Sequence, residues 1–467
     1  MYIAVNNYKK VKDVLGKYIG IFICVMTFIL CGFEHSVANM AYFSIANIWN
    51  LKVILYLLIM VLGNSVGSIL IALFYNRFYK KLTLCYNLVA GDSMVYLDYS
   101  ATTPVNKEVL DSFSKVSLDF IGNSNSLHSL GVKNTKLIDE ATRQIADILN
   151  VKENEIIYTS GSSESNNLAI KGICLKYKNR GKHIITTNFE HSSVFGPLEY
   201  LKKLGFEVTI VNSDKYGQID IEHLKSIIRD DTILVTINAI NSEIGIKQPI
   251  EEIGEILKNY KKCFYHVDLT QAIGKINVDL TNIDLASFSA HKIYGLKGIG
   301  CLIKKEKVLL EPLIHGGKST TDFRSGTPAH PLIVSMSKAL RLAVQDLDKK
   351  YEYIASLNKQ LKDVLEKYDG VSINSNDKCI PHILNISVVP VKAETFMHAL
   401  EKYEVYVSTK SACSIEGSLS ESVLLLTNEI TKAKSSVRIS LSHLTTQSEI
   451  EEFLKAFDKC YKELKEI

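Results

Sequence analysis

The chain has little excess charge of either sign. Lys and Arg number 54, Asp and Glu 50, and the formal net charge is +4. It therefore lacks the basic surplus expected of a protein that grips nucleic acid, and no direct nucleic-acid partner is expected. It has no CxxC pair, and its nine cysteines are scattered without regular spacing. That argues against a disulfide scaffold or a structural zinc site and suits a reducing compartment. No internal repeat or low-complexity tract is present. Hydrophobic residues make up 46% and charged residues 22%, which excludes wholesale disorder. A chain of 467 residues has room for roughly three units of about 150 residues each.

What the chain does have is an abrupt change of texture near residue 92. From Val53 to Tyr75 no residue is charged. The run VILYLLIMVLGNSVGSILIALFY exceeds the roughly 20 residues that cross a bilayer core. Gly63 and Gly67 have the small-xxx-small spacing that lets membrane helices approach. A buried core helix is the plainer reading, but such a helix normally keeps a polar face and this run has none. An earlier apolar stretch, Ile19 to Phe33, meets Glu34 and His35 and resumes from Val37 to Ala46. A charge within lipid is costly, so a broken helix whose break faces protein is the better reading. A cleavable signal peptide competes, but no small-residue cleavage site follows. Lys9, Lys10, Lys12 and Lys17 precede the first stretch, Arg77, Lys80 and Lys81 follow the second, and only Lys52 lies between. The positive-inside rule then predicts a hairpin through residues 19–75 with both ends in the cytoplasm. The remainder of the chain is expected to be cytoplasmic and tethered to the cell membrane.

The segments GFEHSVANM (32–40) and LGNSVGSIL (62–70) resemble the C-terminal part of formate/nitrite transporters. The resemblance implies that His35 matches a histidine beside the pore. The first helices of that fold are absent here, so the segment reads as a membrane tether or as the trace of a gene fusion.

From Val95 onward short β-branched and aromatic runs alternate with amphipathic stretches. The runs are EIIYTSGSS (155–163), KHIITTNFEH (182–191), EVTIVNSD (207–214), TILVTINAINS (232–242), CFYHVD (263–268) and LASFSAHK (285–292). Between them lie helical patterns such as LIDEATRQIADIL (137–149) and EEIGEILKNY (251–260). Apolar strands alternating with helices predict an α/β fold, a mostly parallel sheet covered on both faces. Ligands collect at the carboxyl ends of such strands, and each run closes on Ser, His, Asp or Lys. A charged helical stretch (345–368), then ILNISVVPV (383–391) and VYVSTKSACS (405–414), predict a smaller α+β domain. The expected organisation is a membrane segment over 1–92, a large domain over 108–347, and a small domain built from 94–107 and 348–467.

Three strand ends carry the chemistry. In TSGSSESNN (159–167) a strand runs through a Gly/Ser turn into a helix predicted to begin near Glu164. Ser162 and Ser163 at such a helix N-terminus suit a phosphate, although Ser and Gly there are more often only a cap. Asp268 ends the strand of HVD (266–268), and Lys292 follows the strand of SFSAHKIYG (287–295). Taken singly, these are a loop carboxylate and a solvated lysine. Taken together, a phosphate cup, a strand-end carboxylate and a strand-end amine are the three anchors of pyridoxal 5′-phosphate. His191, ending a third strand, is placed to stack on its ring.

From YLDYSATTP (96–104) to the C-terminus the chain closely resembles a cysteine desulfurase of the NifS/IscS kind. The matching segments include TSGSSESNNLAIKG, TNFEH, NSEIG, YHVDLTQAIGK, SFSAHKIYGLKGIG, HGG, RSGT, SACS and SSVRISL, in order. The resemblance implies a fold-type I pyridoxal-phosphate enzyme that takes L-cysteine to L-alanine. It implies Lys292 as the Schiff-base lysine, Asp268 as the pyridinium partner and His191 as the stacking residue, with Lys292 or His191 handling the later proton transfers. Ser162, Ser163, Ser289 and His291 would bind the phosphate. Gln271 and Ser242 would lie near the phenolic oxygen. Thr327 would reach the phosphate of the other subunit, hence a homodimer. Arg438 would pair with the substrate carboxylate, with Asn123 and Arg324 as further substrate-side candidates. Cys413, in STKSACSIEGSLS, would be the nucleophile that takes sulfur as a persulfide. It would pass the sulfur to an acceptor protein, an iron–sulfur scaffold or a tRNA-thiolation protein. No resident metal is expected, and a transient iron–sulfur contact would fall at Cys413.

The surroundings of Cys413 argue the same way: a Ser/Gly/Lys/Glu run reads as an exposed loop, and Lys410 favours a thiolate. Two positions depart from the resembled pattern. Ser242 stands where a second Asn is usual, and Thr-Lys-Ser-Ala precedes Cys413 where Ser-Gly-Ser-Ala is usual. A selenocysteine or cystine lyase on the same scaffold is the nearest alternative. A transport-related membrane fusion protein is the alternative of another class.

Overall fold

A computed structural model describes residues 51–55, 58, 94–317, 319–409 and 419–465. The chain divides into two units, Met1–Ser93 and Met94–Ile467. In the first, residues 51–55 are helical. Among the described residues no helix is long and apolar enough to cross a membrane. The hairpin expected through 19–75 falls outside the described residues except at positions 51–55 and 58, and gains no support from them.

The second unit opens with β1 (Val95–Tyr96), α1 (Lys107–Asp119) and α2 (Ser129–Leu149). Strand and helix then alternate: β2 (Ile156–Thr159), α3 (Ser162–Tyr177), β3 (His183–Thr186), α4 (Ser192–Lys203) and β4 (Glu207–Ile210). Next come α5 (Ile221–Ile227), β5 (Thr232–Asn238), α6 (Ile250–Leu257), β6 (Phe264–Asp268), β7 (Leu285–Ser289) and β8 (Gly300–Lys304). Then α7 (His330–Val344) and α8 (Leu347–Leu365) lead to β9 (Val371–Ile373), β10 (Ile383–Val388), α9 (Ala393–Glu401) and β11 (Val405–Tyr406). The last elements are α10 (Glu421–Thr427), α11 (Ile430–Lys434), β12 (Ser436–Ser440) and α12 (Gln447–Lys465).

Seven strands form one sheet in the order β2-β8-β7-β6-β5-β3-β4. Neighbours from β7 to β4 pair in parallel, and β8 alone runs antiparallel to both its partners. Both faces are covered, which is why the strands read as continuous apolar runs: all seven residues of β5 are buried. Along β5, Ile233 and Leu234 pack in a core with Leu168 and Ile173 of α3 and Leu198 of α4. Val235 and Ile237 pack in the other, with Val109 of α1, Ile138 and Ile145 of α2, and Met336 of α7. The buried set Ile138, Ala141 and Ile145 has the three-and-four spacing that puts one face of α2 on the sheet.

A separate core surrounds the antiparallel sheet β12-β10-β9, where Leu357 and Leu361 of α8, Phe396 of α9, and Phe453 and Phe457 of α12 meet Ile386 and Ile439. Leu97, just past β1, and Val405 of β11 belong to that core too, so the two ends of the unit are joined there.

One local expectation is corrected. The helix expected near Glu164 begins at Ser162, because the Ser165 N–H already donates to the Gly161 carbonyl at 3.1 Å. Ser162 and Ser163 thus lie in the first helical turn, not in the turn before it.

Candidate active site

The carboxyl ends of β2, β3, β5, β6 and β7 open on one cavity of about 240 Å³. Ser162, Ser163, His191, Ser242, Asp268, Gln271, His291, Lys292 and Arg438 all line it, together with Ser100, Ala101, Asn238, Ile240 and Thr270.

Lys292 sits on a single helical turn, Ala290–Lys292, directly after β7. Its Nζ donates to the carbonyls of Ser100 and Ala101 at 2.5 and 2.7 Å. The same N-terminal segment grips the turn itself: Thr103 Oγ1 donates to the His291 carbonyl at 2.9 Å and accepts from the Tyr294 N–H at 2.7 Å. The YSATT stretch is therefore part of the lysine's mounting.

Asp268 ends β6 and is 6% exposed. Its Oδ2 accepts from Asn166 Nδ2 at 2.7 Å, and its Oδ1 accepts from the Thr270 N–H at 2.9 Å and from the Thr270 hydroxyl. Asn166 Nδ2 also donates to Ser193 Oγ at 2.9 Å, and that hydroxyl lies 2.8 Å from His191 Nδ1. A polar chain thus runs from Asp268 through Asn166 and Ser193 to His191. His191 is the N-cap of α4, and its Nδ1 accepts from the Ser193 N–H at 3.1 Å. With Nδ1 an acceptor, the neutral ring carries its proton on Nε2. Burial pushes the His191 pKa down, and Lys292 adds to this, while Asp268 opposes it.

The start of α3 has no side-chain cap at Gly161. Ser289 Oγ accepts from the Ser162 N–H at 2.6 Å and donates to Ser162 Oγ at 3.0 Å. A helix N-terminus with serine hydroxyls is a ready anion cup. Gly300 of β8 is required for this approach: a Cβ there would meet Gly161 Cα at 2.6 Å. His291 is held neutral, its pKa pushed down to about 4 by burial and by Lys292, Lys297 and Lys275, while its Nδ1 lies 3.2 Å from Thr102 Oγ1.

Arg438 of β12 is buried. One guanidinium nitrogen donates to Asp98 Oδ1 at 2.7 Å, another to the Ser242 carbonyl at 3.0 Å, and Nε has no partner among the described residues.

Three expected site residues stand apart from this cavity. Arg324 is paired with Glu164 at 3.0 Å, so its charge holds the first turn of α3. Burial alone would raise the Glu164 pKa, but Arg324 and the Ser160 N–H outweigh it and hold it below the usual carboxylate range. Asn123 is exposed, with its side chain accepting from the Asn125 N–H at 2.9 Å. Thr327 is exposed. Cys413 lies outside the described residues. Five polar contributors escaped the sequence: Ser100, Asn166, Ser193, Asn238 and Thr270. Asn166 and Ser100 fall within the segments TSGSSESNN and YLDYSATTP, but nothing local marks them as site members.

A lysine and a carboxylate at neighbouring strand ends, over an anion cup in a mostly parallel sheet, define a pyridoxal-phosphate transferase of fold type I. The Aminotransferase class-V family matches residues 95–453. The chain is 40% identical over 380 residues to a NifS/IcsS protein homolog of Lactobacillus delbrueckii subsp. bulgaricus, covering 80% of this chain and 99% of that one. It is 38% identical over 378 residues to the cysteine desulfurase IscS of Dictyoglomus turgidum, covering 80% and 96%. A solved NifS-like protein superposes with a TM-score of 0.75 at 33% identity, covering 80% of this chain and all of that one. Residues 2–77 match the formate/nitrite transporter family. The chain belongs to the class-V aminotransferase family and, within it, to the NifS/IscS cysteine desulfurases.

That family depends on pyridoxal 5′-phosphate. The residues present fit it: the helix end at Gly161 has no side-chain cap, Asp268 is fixed by donors, and the cavity-lining Asn238 has a buried Oδ1 with no partner among the described residues.

Proposed function

We propose that this chain converts L-cysteine to L-alanine and carries the released sulfur as a persulfide on Cys413 to an acceptor protein that builds iron–sulfur clusters or thiolated tRNA. The observation that carries the proposal is the meeting of Lys292, Asp268, His191 and the N-terminus of α3 in one cavity.

When bound, pyridoxal phosphate supplies an electron sink for the carbanion that forms at the substrate Cα. In this reading Ser162, Ser163, Ser289 and His291 hold its phosphate, Asp268 its ring nitrogen, and Gln271 and Ser242 the side of its phenolic oxygen. Lys292 would hold the aldehyde carbon until the substrate amine displaces it, and its freed amine would then take the Cα proton; Lys292 lines the cavity, as this requires. His191 would stack on the ring, and Lys292 or the Nε2–H of His191 would handle the later proton transfers on the way to alanine. Arg438 binds the substrate carboxylate with a two-pronged guanidinium.

The nucleophile is assigned to Cys413 partly by contrast. Burial pushes the thiols of Cys174, Cys263 and Cys301 far up, that of Cys379 to about 12, and that of Cys460 to about 11. Such thiols are poor nucleophiles. Cys413 attacks the substrate sulfur, that sulfur leaves its Cβ, and a persulfide remains on Cys413.

The working unit is read as a homodimer. Leu118, Ile121 and Leu127 are 77%, 80% and 97% exposed around α1 and the start of α2, an apolar strip suited to a second copy. Thr327, exposed and away from its own cavity, is then free to reach the partner's phosphate. The large domain is taken as 108–347 and the small domain as 94–107 with 348–467, consistent with their separate cores. Residues 1–92 are read as a membrane hairpin, supported by the charge-free run 53–75 and the match over 2–77.

The test is alanine release and persulfide formation by C413S. Both should be lost while the visible band of the bound cofactor stays. Persulfide formation at the parent rate overturns the assignment.

A further inference from the structure

Lys275 follows β6 on the turn that carries Gln271, and it is 8% exposed. It does not line the cavity, whereas Gln271 does. Its Nζ donates to Gln271 Oε1. An ammonium has protons and no acceptor, so the amide oxygen has to face it. The orientation of the Gln271 amide is thereby decided. Nε2 turns the other way and donates at 3.0 Å to the Ser100 carbonyl, the same oxygen that accepts from Lys292 Nζ at 2.5 Å. Without Lys275 only the Ser100 carbonyl holds the amide, and a flip would offer the cavity an acceptor. The neighbouring Ser242 has a short side chain and cannot supply the missing donor at the reach of an amide.

The charged and titratable groups around Lys275 are Lys292, Arg438, His291 and His382. Burial, then Lys292 and Arg438, push its own pKa down to about 7. The neutral amine keeps two N–H groups but gains a lone pair, so after the loss of its proton the contact with Oε1 is kept with the help of the Ser100 carbonyl, which holds Nε2 on the other side. A cation placed in such company is a cost to the fold.

We infer that Lys275 is a positioning residue, which fixes the Gln271 amide so that an N–H group faces the cavity beside Lys292. That donor favours a negative oxygen on the bound cofactor and lowers the proton affinity of the nitrogen that Lys292 contributes. The inference rests on the reading of Lys292 as the residue that holds the cofactor.

The experiment follows the visible absorbance of the full-length holoenzyme against pH in the parent, K275M, K275Q, Q271A and the K275M/Q271A pair. K275M should move the titration midpoint up by about one pH unit, and Q271A likewise. The pair should move no further than Q271A, because Lys275 acts through that side chain. K275Q, whose amide can still donate to Oε1, should stay near the parent. Should K275M not fold, K275A takes its place under the same criteria. A K275M midpoint within about 0.2 unit of the parent, or a pair shift equal to the sum of the singles, overturns the inference. K292A is the control for the underlying reading. If it keeps the parent spectrum, Lys292 does not hold the cofactor and the site reading fails, whatever Lys275 does.

Discussion

Arg438 and Asp98 meet at 2.7 Å, with side chains 1% and 22% exposed, although 340 positions separate them in the chain. The pair ties β12 to the segment after β1, and it fixes the guanidinium that the proposed function gives to the substrate carboxylate. Breaking such a pair from one side leaves a buried charge alone.

The D98A variant is therefore expected to lose about 3 kcal/mol of stability. The KM for cysteine should rise about tenfold, while cofactor affinity changes less than about twofold. Thermal unfolding, steady-state kinetics and cofactor titration check the three parts, and an unchanged KM contradicts the orienting role.

Asn166 donates both to Asp268 and to Ser193, the hydroxyl beside His191. In N166A a buried carboxylate oxygen loses its donor, a cost of about 1–3 kcal/mol. Cofactor affinity should fall about tenfold, measured by displacement titration, with the secondary structure unchanged by circular dichroism.

Gly300 admits the turn at Gly161, and an added Cβ would meet Gly161 Cα at 2.6 Å and Phe288 O at 2.8 Å. G300A should push the anion cup out of register and cost about 1–3 kcal/mol from overpacking. Inorganic phosphate should protect the parent apoprotein against heat more than it protects G300A. Equal protection counts against the cup.

Acid should destabilise the apoprotein through its buried histidines. Burial pushes His266 down to about 4, partly opposed by Asp268, and it holds two hydroxyls, Thr236 Oγ1 at 2.8 Å and Ser287 Oγ at 2.9 Å. His291 is also near 4, and His382 is near 3 through burial, Lys275 and His443. In the unfolded chain these rings protonate near 6.5, so the unfolded state binds more protons below that pH and stability falls as pH falls from about 6.5 toward 4. Glu190 has the opposite sign. Burial pushes it up to about 8, so it contributes stability at low pH that is lost as pH rises through that value. Three groups outweigh one, and the Tm should drop between pH 6.5 and 4.5. H382L should flatten the slope; a parent Tm that is level across the window excludes this account.

Five of the six strand runs read from the sequence are buried throughout and therefore mainly apolar, their internal polar residues Thr236, His266 and Ser287 being bonded to one another, whereas β4 at the sheet edge is only partly buried. Asp268 stood out as the last residue of its strand, and Lys292 as the charged residue three positions past Ser289, where β7 ends. β8 was not legible as the antiparallel member, since GCLIK has the same texture as its parallel neighbours and only pairing sets its direction. The helix start was misplaced by two residues because Gly161 caps α3 through its carbonyl, which has no side-chain signature. Arg324 read as a further substrate-side candidate, and only the folded chain shows its pairing with Glu164 of α3 at 3.0 Å.

The sequence by itself determined which groups stand at which strand ends, and with them the cofactor chemistry, because periodic burial dictates where an apolar run must stop. Only the tertiary structure decided which of those ends are neighbours. Lys292 leans on carbonyls 191 and 192 positions earlier, and Asp268 on an amide 102 positions earlier. Strand order and sheet packing create such contacts, and hydrogen-bond geometry at that separation leaves no trace in local composition.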